Sequence, residues 1–255
     1  MLQLPQPRCG STLILKADLL AAHALMQEIG RKLPERGCII ALRIDDAHAL
    51  ISHSPVELLV TGIDLPDGDV LDRMLGLAER HRIGKVLVVT RHREPRLIAS
   101  LRSLAVNGIF DTGTEETQDL PNAIRDIESG KGFWSDSVAL IEARSTFKAL
   151  FRDLNPTEHL AFGVLGDGCG DKIAADRLGM TLATTRTLRR NLHRKLGAHD
   201  RADLTRLAVH FGFVRFTEAG IYTVGLDVLR MEYERRKKRS TDMPVESSKV
   251  GRRAA

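Results

Sequence analysis

Short, nearly unbroken apolar runs recur through the first half of the chain: Leu13-Ile14-Leu15, Cys38-Ile39-Ile40-Ala41-Leu42, Leu58-Leu59-Val60, Val86-Leu87-Val88-Val89 and Gly108-Ile109-Phe110. A strand with one wet face alternates apolar and polar residues. These runs do not alternate, which predicts parallel strands covered on both faces. Helix-compatible stretches lie between them, near 18–32, 45–53, 68–81, 95–106 and 119–129. Five strand–helix repeats predict an α/β doubly wound domain with five parallel strands, spanning residues 1–130.

Residues 131–153 carry no strand pattern and read as a connector with a short helix over 137–147, in which Trp134 anchors the connector to a domain. From Leu154 the pattern becomes wholly helical. Asn155-Pro156-Thr157-Glu158 combines an N-cap, a proline at the first helical position and a glutamate three residues after the cap. A helix to about Leu165, a Gly-rich turn at 166–170, a second helix closed by Gly179, a third capped by Thr181 and ending at Gly197, and a fourth from Asp200 to near Gly212 follow. The turn has no preceding strand and no Gly-Lys-Ser/Thr ending, so it is not a phosphate loop. This is an all-α, four-helix unit with a helix-turn-helix at its centre, over 154–214. Residues 215–255 form a basic extension: Arg235-Arg236-Lys237-Lys238-Arg239 suits a helix, and the last 15 or so residues read as disordered.

Charge sharpens this division. The 255-residue chain has a net charge of +5, but residues 1–153 hold 19 Lys/Arg against 21 Asp/Glu, whereas residues 154–255 hold 19 against 12. A basic back half suits a polyanionic partner. Residues 1–11 lack the basic-then-apolar order of a secretory signal, no apolar run approaches a membrane span, and three scattered cysteines fit neither a disulfide framework nor a zinc site. A protein of the bacterial cytoplasm is expected, with no membrane partner, metal or cofactor.

The third helix of the back half holds the most specific chemistry. Arg186, Arg189, Arg190, Arg194 and Lys195 crowd it, with no acid between Arg177 and Asp200. Leu188, Leu192 and Leu196 recur at four-residue spacing and predict the buried stripe, leaving a basic face that suits the major groove of DNA. At these residues the sequence resembles the LuxR/NarL/FixJ-type wingless four-helix DNA-binding domain. Leu154-Asn155-Pro156-Thr157-Glu158 stands at the family's Leu-Thr-x-Arg-Glu opening, Gly168 and Lys172 match its turn and backbone-crossing helix, and Arg177-Leu178-Gly179 precedes the recognition helix. Arg194-Lys195-Leu196-Gly197-Ala198-His199-Asp200-Arg201-Ala202 matches its closing segment. The resemblance implies base reading by Arg186, Thr187 and Arg190, and phosphate contacts from Lys172, Thr184, Arg189 and Lys195. Leu188 replaces a common His and Ala174 a larger aliphatic residue, so the operator sequence does not carry over.

Placed before such a unit, the front domain resembles the receiver of a response regulator, a family that phosphorylates an aspartate. That chemistry needs an acceptor carboxylate, an acidic pair holding Mg²⁺, a neutralising lysine and a switch hydroxyl. The turn Leu65-Pro66-Asp67-Gly68-Asp69 sets the register and puts Gly62 at the acceptor, Ala17 and Asp18 at the acidic pair, Thr112 at the lysine and Ile109 at the switch aromatic; only Thr90 is as the family has it. Asp45-Asp46 lies too close to the loop to be the acidic pair, and Asp64, two residues further into the loop, reads as an ordinary loop residue rather than a substitute acceptor, which would leave the lysine and the second acid unexplained. The expected protein is therefore an atypical response regulator with a pseudo-receiver: a non-enzymatic, homodimeric regulator of transcription that binds double-stranded DNA without phosphorylation. The alternatives are an adaptor, or a ligand-sensing regulator whose pseudo-receiver binds a protein or small molecule near Gly62 and Asp18. Helix 200–212, with Leu204, Leu207, Ala208 and Phe211, is the expected dimer contact.

Overall fold

The computed structural model describes residues 11–73, 82–104, 106–144, 151–217 and 220–241. The apolar runs form β1 (Thr12–Leu15), β2 (Cys38–Ala41), β3 (Val56–Thr61), β6 (Ile83–Thr90) and β7 (Gly108–Asp111). They assemble, with a sixth member β8 (Phe133–Trp134), into one sheet of order β2-β1-β3-β6-β7-β8, all pairs parallel. One face packs Leu13, Leu59 and Val88 against α2 (Ile44–His53) and α3 (Pro95–Ser103). The other packs Ile14, Val60, Leu87 and Phe110 against α1 (Leu19–Lys32) and α4 (Leu120–Glu128). Covering both faces removes Ile14, Leu59 and Leu87 completely from water, at about 1.5–3 kcal/mol for each side chain.

Two features of the front half depart from the sequence reading. The connector contributes β8, so the sheet has six strands rather than five; a Cβ on Gly108 would lie 2.5 Å from the carbonyl oxygen of Phe133, so only glycine lets β8 approach. Trp134 does anchor this segment, with the Arg102 guanidinium 3.6 Å from its ring centroid. The connector helix is α5 (Asp136–Arg144), and residues 145–147 of the expected span lie outside the described residues. The helix expected from residue 68 is preceded by a small ribbon, β4 (Asp64–Leu65) paired with β5 (Gly68–Asp69). Helical backbone begins only at residue 70, and 74–81 lie outside the described residues.

The four expected helices follow as α6 (Pro156–Leu165), α7 (Asp171–Leu178), α8 (Leu182–Leu196) and α9 (Arg201–Phe211). Asn155 and Glu158 form the full capping box of α6, and Thr181 and Asp200 cap α8 and α9. The helical pattern does not continue from there. Residues after Gly212 form an antiparallel hairpin, β9 (Val214–Thr217) with β10 (Gly220–Thr223), before α10 (Leu226–Thr241). This extension joins the two units: Val224 and Val228 pack in the sheet's core, whereas Leu229 packs in the core of the four helices.

Candidate DNA-binding surface and the receiver cleft

Leu188, Leu192 and Leu196 turn inward, as the four-residue spacing requires, and are 7%, 0% and 6% exposed. The opposite side of α8 presents Arg186, Thr187 and Arg190 to solvent. Thr187 donates to the carbonyl of Ala183 at 3.1 Å, and Arg190 reaches the Thr187 hydroxyl at 3.3 Å. With Asp171, Ala183 and Arg189 these three side chains line an open depression of about 550 Å³. Lys172 on α7 and Thr184 in the first turn of α8 are exposed too; the Thr184 hydroxyl lies 2.8 Å from that of Thr181.

The other two expected phosphate contacts are otherwise engaged. Arg189 is buried, with its Nε 2.6 Å from Asp171 Oδ1 and an NH₂ group donating to the carbonyl of Cys169 at 2.8 Å. Burial raises the Asp171 carboxyl, but Arg189 and Arg186 outweigh this and hold it below the usual carboxylate range. Lys195 donates to Glu158 at 2.6 Å and to the carbonyl of Asp153 at 2.8 Å. Both cations therefore fasten helices to one another: Arg189 joins α8 to α7, and Lys195 joins α8 to the capping box of α6. Leu204, Ala208 and Phe211 of α9 are likewise buried in their own domain's core, so they do not form a free dimer face.

In the front domain, Leu15 lies opposite Thr61 and the Gly62 amide donates to the Leu15 carbonyl at 2.8 Å. The space a side chain at 62 would enter is taken by Lys16. A Cβ there would sit 3.1 Å from Lys16 Cδ and 3.5 Å from its Nζ. Lys16 Nζ donates to the Val89 carbonyl at 3.4 Å. Burial lowers the pKa of Lys16, while Asp64 and Asp18 act in the opposite direction. Asp18 is exposed and turned to the N-terminus of α1, where it accepts from the amides of Leu20 and Ala21. Ala17 and Thr112 are exposed, and Thr90 is buried, its hydroxyl accepting from the His92 amide at 3.0 Å. Gly62, Thr90 and Lys16 thus lie at the ends of adjacent strands, whereas Ala17 and Thr112 bring no charged group and Asp18 caps α1. Lys16 was invisible to the sequence reading because no receiver motif assigns that position.

Asp64 lies beside the cleft and faces outward. Its carboxylate is 2.7 Å from His92 Nε2 and 3.0 Å from an NH₁ nitrogen of Arg215 in β9. His92 Nδ1 lies 3.1 Å from Glu94. The hydrogen bonds to Asp64 and then Glu94 push the His92 pKa up to about 9, so the ring is charged and donates to both carboxylates. The bond to His92 leads the effects that lower the Asp64 carboxyl. Among the described residues, no cluster of three or more His, Cys, Asp or Glu side chains is disposed to hold a metal ion, and no helix is long and apolar enough to cross a membrane.

A parallel sheet of this strand order, followed by a four-helix unit built around a helix-turn-helix, has the architecture of a NarL/FixJ-type response regulator. The chain is 26% identical over 160 residues to the transcriptional regulatory protein MctR of Rhizobium johnstonii, covering 62% of this chain and 73% of that protein. It is 26% identical over 171 residues to the fimbriae Z protein of Escherichia coli K12, covering 65% and 81%. Among solved structures it is similar to the RcsB response regulator of Salmonella typhimurium, with a TM-score of 0.56 at 16% identity over 78% of this chain and 99% of that one. It is also similar to RcsB in an RcsB–DNA complex, with a TM-score of 0.54 at 16% identity over 79% and 98%. No family model matches the chain.

Proposed function

We propose that the protein is a sequence-specific transcriptional regulator of the bacterial cytoplasm that lays α8 in the major groove of double-stranded DNA as a homodimer. The observation that carries this reading is the exposed Arg186-Thr187-Arg190 face, set on a helix whose opposite side is fixed by the buried leucine stripe. Arginine forks suit guanine edges, and Lys172 and Thr184 flank that face within reach of phosphates. The transcriptional regulator among its relatives supports the same reading, as does the DNA-bound state of the RcsB neighbour. Dimerisation rests on a physical argument: one helix-turn-helix module reads too few base pairs for useful specificity, and symmetry doubles the site.

The regulator acts without aspartyl phosphorylation. Gly62 has no side chain to accept a phosphoryl group, Lys16 fills the space, and Asp18 spends its carboxylate on a helix cap. Selection of bound sequences from random DNA, followed by sedimentation of the complex, tests the function. A dyad-symmetric consensus with two chains per site is expected; absence of enrichment would sink the proposal. A ligand-sensing variant of this reading is favoured by one feature, an interdomain cavity of about 340 Å³ lined by Leu65, Asp69, Asp72, Arg177 and Tyr222 among others. Its place is between the domains rather than at Gly62 and Asp18.

A further inference from the structure

Two loops leave the cleft at the carboxyl ends of β3 and β6, after Gly62 at the acceptor position and Thr90 at the switch-hydroxyl position. Here those loops carry Asp64, two residues after Gly62, and His92, two residues after Thr90, and both belong to one ionic cluster with a residue of the C-terminal extension. Arg215 is 7% exposed in its side chain. Its NH₁ lies 3.0 Å from Asp64 and its NH₂ 3.8 Å from Glu94, while His92 bridges the same two carboxylates. A guanidinium buried to this extent is tolerable only beside compensating charge, so hairpin β9–β10 is held to these loops and not merely near them.

Further contacts carry the same message. Arg96 on α3 is buried, donates to the carbonyl of Val224 at 2.9 Å and lies 4.9 Å over the ring of Phe213. Asp69 accepts from the amide of Gly225. Asp72 accepts from the amides of Asp227 at 3.0 Å and Val228 at 3.4 Å, so a carboxylate of the front domain caps the first turn of α10. At Gly212, where φ is +81°, a Cβ would come within 2.5 Å of Glu94 Cβ, which fixes how closely the end of α9 meets α3. All these groups lie on the carboxyl side of the sheet strands, and none covers Arg186, Thr187, Arg190 or Lys172, which stay exposed in the docked arrangement.

We propose that segments 212–217 and 220–228 form a built-in clamp that replaces the phosphorylation switch, holding the four-helix unit on the loops after β3 and β6 in one arrangement that leaves the recognition face open. The clamp is distinct from an autoinhibitory dock, because release uncovers nothing on α8. It deepens the proposed function, since the open face matters only if α8 reads DNA. Amide hydrogen exchange on the full chain tests it. In Arg215→Gln, the amides of Gly225, Asp227 and Val228 should exchange at least about ten-fold faster while those of β3 and β6 keep their wild-type rates. The gentler Asp64→Asn, which removes a largely exposed carboxylate, should shift the same amides in the same direction by a smaller factor. Unchanged rates at 225–228 in both variants, or acceleration spread equally over β3 and β6, would overturn the clamp. So would acetyl phosphate altering those rates in the wild type. Affinity for selected DNA should stay within about three-fold in either variant; a ten-fold rise would mean the dock is inhibitory and overturn the open arrangement. If neither variant nor wild type bound DNA while the exchange effect held, the reading of α8 would fail and the clamp would stand.

Discussion

Arg189 and Arg190 are neighbours in sequence with opposite fates, and the difference is one of helix face. A step of 100° carries Arg189 under the helix onto Asp171, whereas Arg190 stays on the solvent side with Thr187. Replacing Arg190 by Ala should therefore relax base preference at one operator position by about 1–3 kcal/mol. Lys172→Ala should instead weaken all sequences alike and lower the slope of log K against log salt by about one unit. Competition binding on single-base operator variants at several salt concentrations separates the two, and an Arg190→Ala protein with intact base preference would show the helix to be turned differently in the groove. Arg189→Ala belongs to another class, because it removes the charge-assisted tie between α8 and Asp171 of α7, leaving Asp171 only the more distant Arg186 at 3.5 Å; a loss of about 2 kcal/mol of stability in urea unfolding is expected. At the cleft beside Lys16, Gly62→Asp should not create a phosphoacceptor. The new carboxylate would meet Lys16, and the acidic pair stays broken at Ala17. Intact-mass analysis after acetyl phosphate and Mg²⁺ should detect no acid-labile adduct, and an adduct on the introduced carboxylate would show that Lys16 yields the space.

Among the elements, those that bury a continuous or periodic apolar face were legible in the sequence, and those that are short or held by polar groups were not. The runs at β1, β3, β6 and β7 announced themselves because both sheet faces are covered, and the capping box at Asn155 located α6 to the residue. Truncating that cap by Asn155→Ala should cost about 1 kcal/mol of stability, measured by denaturant midpoint. β8 is two residues long and has no periodicity to detect; its place follows from the glycine at 108, whose reason is visible only once Phe133 lies against it. Hairpin β9–β10 escaped for a different reason. Its inward residue Arg215 is buried by ion pairs, so a pattern search counts it as solvent-facing, while the cross-strand pair Phe216 and Ile221, which looks like core, is 58% and 46% exposed. The candidate site divides along the same line. The exposed basic face of α8 was legible from charge and leucine spacing together, whereas Lys16, His92 and Arg215 acquire their contacts from neighbours far away in sequence, and the engagement of Arg189 and Lys195 depends on where α7 and α6 come to lie.

For the whole molecule, a charged seam predicts that domain docking titrates. The groups facing His92 are Asp64 and Glu94, which favour its charged form, and Arg215, which opposes it. Its pKa in the fold, about 9, exceeds the ordinary value of 6.5, so its contribution is complete below about pH 6.5 and is lost as pH rises through 9. Asp72 works in the same direction by a different cause. Burial, then repulsion from Asp69 and Asp227, raises it from 3.8 to about 6. A carboxyl with a raised pKa favours the docked state while protonated, so its contribution falls as the pH climbs from about 4 to 6. Asp64 and Glu94 are held below their ordinary values, and they withdraw their support only as the solution becomes strongly acidic. Docking should accordingly be firmest near pH 5 and loosen steadily toward pH 9.5. Exchange at the amides of 225–228, corrected for the intrinsic base dependence of exchange, should rise across that range in the wild type. In His92→Gln the portion of the rise between pH 7 and 9.5 should vanish, because the group that titrates there is gone while the glutamine still donates a hydrogen bond to one carboxylate. A wild-type profile that stays flat from pH 5 to 9.5 would mean that the ionic cluster decorates the seam and the apolar contacts of Val224, Val228 and Leu229 alone hold it.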